Sequence, residues 1–378
     1  MRSLTDIERN KKECAPGHAR GILMEKQSRI KYWDLLRGIA IFLVVWGHTI
    51  QFGGSSMELF ANKAFIFIYS FHMPLFLLIS GYFLAKSAGR RSLVQNLGKK
   101  LVHIAVPAVL GGAGFYVVKL AVERLLGSDA YPISAAMLFE EIGNIWFLWC
   151  MFMCSVALLA ADALVRKLGS SKMMPVILAA VFVLFVFLPY SEYNLYLFPY
   201  FLTGYAIEKA GAENKNLKKL SRLELFSIVL FPMLLQNFSD RHFIYSSGIR
   251  LFSSAYGAAA QLAIDVFRWL IGFAGCFVVL MFARKLEEAF PTNKICDLIG
   301  DIGKYTLEIY ILERIVVEYL GAKVLWKMVN GPGSTVLGND IVYSYLFTPL
   351  CSIAFTLLLY YIVKGAKSVW GWRNADKV

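Results

Sequence analysis

Charged side chains are scarce in this chain. They make up 17% of its 378 residues, where an ordinary soluble domain carries about 25%. Acidic residues are the scarcer sign, 26 against 39 Lys and Arg. Cysteine supplies no framework. The six cysteines, Cys14, Cys150, Cys154, Cys276, Cys296 and Cys351, form no CxxC pair. That spacing argues against a zinc ribbon, a dithiol redox motif or a disulfide scaffold. Most of them fall in apolar runs, where a thiol behaves as a small hydrophobe. No repeat period and no low-complexity tract is visible, which argues against a solenoid or a linker-rich chain. The first 30 residues are basic and polar without an apolar core, so no cleavable signal peptide is expected.

Apolar residues take up the difference. They reach 58% of the chain, and they come in blocks near the length of about 20 residues needed to cross a bilayer as a helix. The expected spans are Leu35–Phe52, Asn62–Leu84, Leu101–Val122, Ile142–Leu164 and Met174–Leu188, then Tyr193–Ile207, Leu223–Phe238, Leu262–Phe282, Cys296–Leu320 and Ile341–Val363. The fifth and sixth form a tight hairpin across Pro189–Glu192. The sequence therefore predicts an all-α integral membrane protein of about ten transmembrane helices. Its parts would be a flexible basic extension (1–28), one membrane domain (29–365) and a tail (366–378). Pro107, Pro199 and Pro349 lie within spans, where proline kinks a helix.

Charge orients the bundle. Lys and Arg gather in cytoplasmic loops. With the N-terminus inside, 28 of the 39 basic residues fall on the inner side and 7 on the outer, and Arg37, Arg268, Lys304 and Arg314 lie within spans. Both termini are then cytoplasmic, in a multi-pass plasma (inner) membrane protein. The same distribution accounts for the net charge of +13 without nucleic acid as a partner. Membrane lipid is the expected surrounding.

Ionisable residues inside a bilayer are costly and mark functional candidates. They concentrate in the first spans. YWDLLRGIAIFLVVWGHTI carries Asp34, Arg37 and His48. The eleven residues from Arg37 to His48 place them about 20° apart around a helix and about 16 Å apart along it. Asp34 shares that side. The next span, SFHMPLFLLISGYF, carries His72 near the same depth, and Pro74 beside it can free a carbonyl. Two readings remain open from position alone. One is a polar cavity with a reactive imidazole. The other is local: an interfacial i,i+3 pair and histidines bonded to neighbouring helices.

At these residues the chain resembles the acyltransferase-3 family of multipass membrane acyltransferases. WDLLRGIAIFLVVWGH carries that family's Arg–ten residues–His pattern at Arg37 and His48, and SFHMPLFLLISGYF is similar to its second-helix signature. KKLVHIAVP, IWFLWCMF, YFLTGYAI and GKYTLEIYIL resemble further signatures, in order, over roughly residues 30–365. The likeness is greatest to shorter members that acetylate cell-surface sugars. Two departures stand out. Where the family often has RxxR, this chain has Lys100 and His103. Where it often has a histidine, YILER has Glu313.

The resemblance implies transfer of an acyl group, usually acetyl, from cytoplasmic acetyl-CoA or another acyl-CoA to a hydroxyl outside the membrane. The acceptor would be an envelope glycan or glycolipid, and no metal is expected. In that scheme His48 is the general base. Arg37, Lys99, Lys100 and His103 face the phosphates of coenzyme A. His72 binds the acceptor or orients His48, and Asp34 holds Arg37. Trp146 and Tyr82 are candidates to line the path. Lys304, Glu308, Glu313 and Arg314 read as salt-bridge partners across the bundle. The other class of function open to such a chain is a transporter of a glycan or small metabolite. Transporters often show two related halves with broken helices in both, and no such halves are visible here.

Overall fold

The structure is a computed structural model that describes residues 16–53, 59–88, 91–127, 131–211, 217–249, 256–330 and 340–369. Cys14, most of the expected extension and most of the tail lie outside these. Among the described residues the chain is all helix with no strand, as the apolar blocks predict. Six helical segments are long and apolar enough to cross a membrane: Lys31–Phe52, Lys63–Ala88, Leu93–Leu125, Trp146–Leu168, Ala258–Ala289 and Tyr343–Val369. They alternate with shorter or more polar helices where the other four spans were expected.

Helix α1 (Pro16–Phe52) is the central element. It begins within the stretch read as an extension. Its Leu36, Ala40, Ile41 and Val45 are at most 1% exposed. The second expected span is two helices, α2 (Lys63–Tyr69) and α3 (His72–Ala88). Proline in a helix removes one backbone hydrogen bond and its ring clashes with the carbonyl four residues back. For Pro74 that carbonyl is Ser70, where the break falls. Helix α4 (Leu93–Lys100) runs through a π-helical turn, Leu101–Ala105, into α5 (Val106–Leu125), with Pro107 at its tolerated N-terminal end.

Helix α6 (Ala135–Gly143) leads into α7 (Trp146–Leu168). Helix α8 (Met174–Phe185) has 12 residues, about 18 Å, short of the roughly 30 Å hydrocarbon layer. Tyr190, at φ 58°, closes the turn to α9 (Ser191–Gly211) and donates a hydrogen bond to the Gly143 carbonyl at 2.9 Å. Next come α10 (Leu217–Gln236) and α11 (Ala258–Ala289). The ninth expected span is broken into α12 (Lys294–Gly303), α13 (Thr306–Glu313) and a π-helical stretch, Arg314–Gly321, ahead of α14 (Ala322–Asn330). A third π turn, Tyr343–Phe347, opens the last helix, α15 (Thr348–Val369).

Small residues let these helices meet at the backbone. A Cβ on Gly81 of α3 would strike the Phe201 carbonyl, and one on Gly204 of α9 the Leu78 carbonyl. Close approach of this kind drives helix association in lipid, where apolar surfaces gain nothing from burial. Polar side chains turn inward and bond across helices, as from Trp46 to Thr348 at 3.0 Å and from Asn62 to Ser344 at 2.7 Å. Apolar ones such as Val183, Phe226, Leu350 and Tyr361 are exposed, the inverse of a soluble surface. The protein is a multipass α-helical membrane protein.

Candidate functional site

Two pockets share the core of the bundle. The first, about 260 Å³, is lined by Arg37 of α1, Lys100 of α4 and Lys304, with Ser80, Phe83 and Thr306 among its walls. The second, about 430 Å³, is lined by His48, His72, Glu141, Trp146, Arg314 and Glu318 among others. Met73 and Tyr310 line both. The basic pocket and the histidine pocket therefore meet at one pair of side chains.

Arg37 sits in the basic pocket as a held group. Its guanidinium pairs with Asp34 at 3.2 Å and lies 3.8 Å over the ring of Phe83. That pairing is the one expected of an acid three residues earlier on a helix. Lys100 joins it, but Lys99 and His103 do not. They line a separate surface pocket with Arg91 and Gln95, and His103 is exposed. The π turn that begins at Leu101 is the reason. Its turn is wider than that of an α-helix, so a residue three beyond Lys100 no longer returns to the same face.

His48 is the centre of the second pocket. Its Nδ1 lies 2.9 Å from both oxygens of Glu313 and 3.1 Å from Oε1 of Glu318. Glu313 is fully buried. Carboxylates on Nδ1 hold the neutral ring in the tautomer with its proton there. Nε2 is then the nitrogen that can take a proton. His72, 2% exposed, has its own Nδ1 on the Ile68 carbonyl at 2.9 Å, which also accepts the Phe71 amide at the α2–α3 break. His48, Glu313 and Glu318 also offer ligand atoms within 4.8 Å of one another, a donor set that a cation can use. The separations of His48 from the two carboxylates are hydrogen-bond lengths.

A chain of ion pairs continues from here. Glu318 meets Arg314 at 3.5 Å, and Arg314 meets Glu141 of α6 at 3.0 Å. Glu141 also takes Lys119 at 3.1 Å and the Tyr131 hydroxyl at 3.0 Å. Lys119, Tyr131 and Arg314 lower the Glu141 pKa, overcoming the opposing effect of its burial. Of the other charges near α13, Glu308 pairs with Lys367 at 2.5 Å and Lys304 with Asp301 at 3.1 Å. Trp146 stacks on Tyr193 at 4.3 Å and faces the histidine pocket. Tyr82 instead stacks on Trp33 at 3.7 Å in the core.

A cation-lined pocket and a pocket with a carboxylate-held imidazole, sharing Met73 and Tyr310 in their walls, are the geometry against which relatives are best compared. A family model described as an acyltransferase domain matches residues 30–365. The chain belongs to the acyltransferase-3 family. Among curated proteins it is similar to "Nodulation protein NolL" of Mesorhizobium japonicum, 32% identical over 127 residues, 32% of each chain. It is also similar to "Nodulation protein NolL" of Sinorhizobium fredii, 28% identical over 200 residues, 49% of this chain and 50% of that one. The chain thus spans half or less of the length of these relatives. No solved structure matches it.

Within this acyltransferase-3 chain, sequence reasoning did not anticipate the carboxylates on His48. Glu313 was visible as the residue standing where the family often has a histidine. Glu318 carried no signal. Residues five apart lie about 140° apart on an α-helix at 100° per residue, and only a π-helical stretch, which bonds residue i to i+5, brings them onto one face.

Proposed function

We propose that this protein is a membrane O-acyltransferase, taking an acetyl group from acetyl-CoA, or the acyl group of a related acyl-CoA, to a hydroxyl of an envelope glycan or its lipid-linked precursor. The observation that carries the reading is the junction of the basic and histidine pockets at Met73 and Tyr310. It offers a path for a long thioester arm whose phosphates stay with the cations. The excess of basic residues in the loops on one side supports a cytoplasmic location for the basic pocket and for both termini, in the plasma (inner) membrane.

In this reading Arg37 and Lys100 hold donor phosphate, and Asp34 keeps the Arg37 fork in place. The pantetheine arm reaches past Met73. The acceptor hydroxyl enters the histidine pocket and bonds to Nε2 of His48. As its oxygen attacks the thioester carbonyl carbon, its proton passes to that nitrogen. Glu313 faces the developing imidazolium and stabilises it. The carbon–sulfur bond then breaks, and the coenzyme A sulfur leaves with the proton returned from His48. His72 presents its own Nε2 to the acceptor as a hydrogen-bond acceptor. Trp146 and Tyr193 offer the flat aromatic face that a sugar ring packs on.

The test is mass spectrometry of surface glycans from cells with and without the gene. Loss of mass corresponding to acetyl groups, restored by the wild-type gene and not by His48→Ala, is the expected result. Unchanged glycans, together with no coenzyme A released from acetyl-CoA by the purified protein, would overturn the reading.

A further inference from the structure

Lys304 is the cation of the basic pocket that the chemistry above leaves unused. Its position is set by the break between α12 and α13, and by how α12 meets α1. A Cβ on Gly303 would strike the Asp34 carbonyl, and one on Gly38 the Ile299 carbonyl. The two helices touch at the backbone, so the residue after Gly303 emerges beside the Asp34–Gly38 turn of the central helix.

Three observations bear on what Lys304 does there. The lining of the basic pocket contains three cations, Arg37, Lys100 and Lys304, from three separate elements, and no carboxylate. Such a set is repulsive unless an anion shares it. Next, Asp34 and Asp301, which pair with Arg37 and Lys304, line the neighbouring pocket instead. They steady the cations from behind and leave the cavity to an anion. Last, Lys304 lines that neighbouring pocket of about 670 Å³ as well, beside Lys31, Lys294, Tyr360 and Asp297, which pairs with Lys31 at 2.7 Å. It is the one cation common to both linings.

We infer that Lys304 joins Arg37 and Lys100 on the diphosphate of the acyl-coenzyme A, at the throat between the two pockets, with the pantetheine arm running from there towards Met73 and the nucleotide on the other side. This rests on the donor proposed above. A lysine suits the position, because a diphosphate in an open throat presents several oxygens to a mobile point charge, whereas a bidentate fork needs one fixed geometry. The side chain is more than half exposed, so its loss leaves no buried charge and the fold remains intact.

The experiment measures binding of coenzyme A and of pantetheine, which lacks the diphosphate and the nucleotide and carries no phosphate, to the purified full chain in detergent. Wild type, Lys304→Gln and Lys304→Arg are compared, with thermal melting of each. A charge-assisted contact predicts that Lys304→Gln weakens coenzyme A binding about tenfold or more. Pantetheine binding stays within about twofold, and Lys304→Arg, which keeps the charge but not the point-like geometry, recovers part of the loss. Unchanged coenzyme A affinity in a normally melting Lys304→Gln protein overturns the assignment of Lys304 alone. Equal loss for both probes overturns its placement at the diphosphate. Absence of coenzyme A binding to wild type overturns the donor reading itself.

Discussion

A carboxylate on Nδ1 of an imidazole fixes which nitrogen is basic and offsets the charge that the ring acquires. His48 has two such neighbours, Glu313 at 2.9 Å and Glu318 at 3.1 Å. The roles proposed for them separate by substitution. His48→Ala and His48→Gln should both lower acetyl transfer by about 10²–10⁴-fold, because neither side chain takes a proton at neutral pH. Near-normal turnover in a well-folded His48→Gln protein would sink the base assignment. Glu313→Gln keeps an oxygen to accept from Nδ1 and removes only the charge. It should therefore lower the catalytic rate by about tenfold or more with donor affinity unchanged, and a change confined to affinity would contradict the placement. The same groups form a possible cation site, and chelation distinguishes that use. Extensive dialysis against a strong chelator should leave turnover unaltered. A loss restored by one divalent metal would replace the imidazole base with a metal-bound one.

At the scale of elements, the departures from regular α-helix are where the pockets are built. The Ser70–Phe71 break delivers His72, the π turn at Leu101–Ala105 separates Lys100 from His103, and the π stretch Arg314–Gly321 aligns Glu318 with Glu313. Irregular helix in a membrane is tolerated where it lines a cavity or is satisfied by neighbours. The link from this last stretch to α6 is the Arg314–Glu141 pair, with both groups under 10% exposed. Removing Arg314 takes one charged partner from Glu141 and leaves it Lys119 and Tyr131. Arg314→Ala should therefore destabilise the protein by about 1–3 kcal/mol, read as a lower melting temperature in detergent. Glu141→Gln added to it should restore part of that stability. If the double variant melts below Arg314→Ala, the two groups are not a coupled pair.

For the whole molecule the prediction concerns its course through the bilayer. Basic residues crowd the connections on one side, so reporter fusions after Lys86, Lys215 and Lys367 should read cytoplasm. Fusions near Ser56, Asp129 and Gly331 should read outside. A cytoplasmic signal at Gly331 would break the ten-span arrangement. Six spans stand out by length and composition alone. The remaining four fall on α8, which is short, on α9 and α10, and on the broken α12–α13 path, so their crossing is a matter for that experiment.

By itself the sequence determined the all-helical membrane architecture, because long apolar blocks in a chain with 17% charge have no other stable arrangement in lipid. It also determined the family, through ordered motifs, and it singled out Asp34, Arg37, His48 and His72, because ionisable groups are conspicuous in apolar surroundings. These signals are local in the chain. What only the tertiary structure decided was which residues share a pocket. Lys304 stands beside Arg37 because Gly38 and Gly303 let two backbones touch. Glu141 reaches Arg314 across 173 positions of sequence. Glu318 meets His48 because a helix widens by one residue per turn. A regular period of 3.6 residues per turn places none of these contacts, since each depends on a break in that period or on a partner far along the chain.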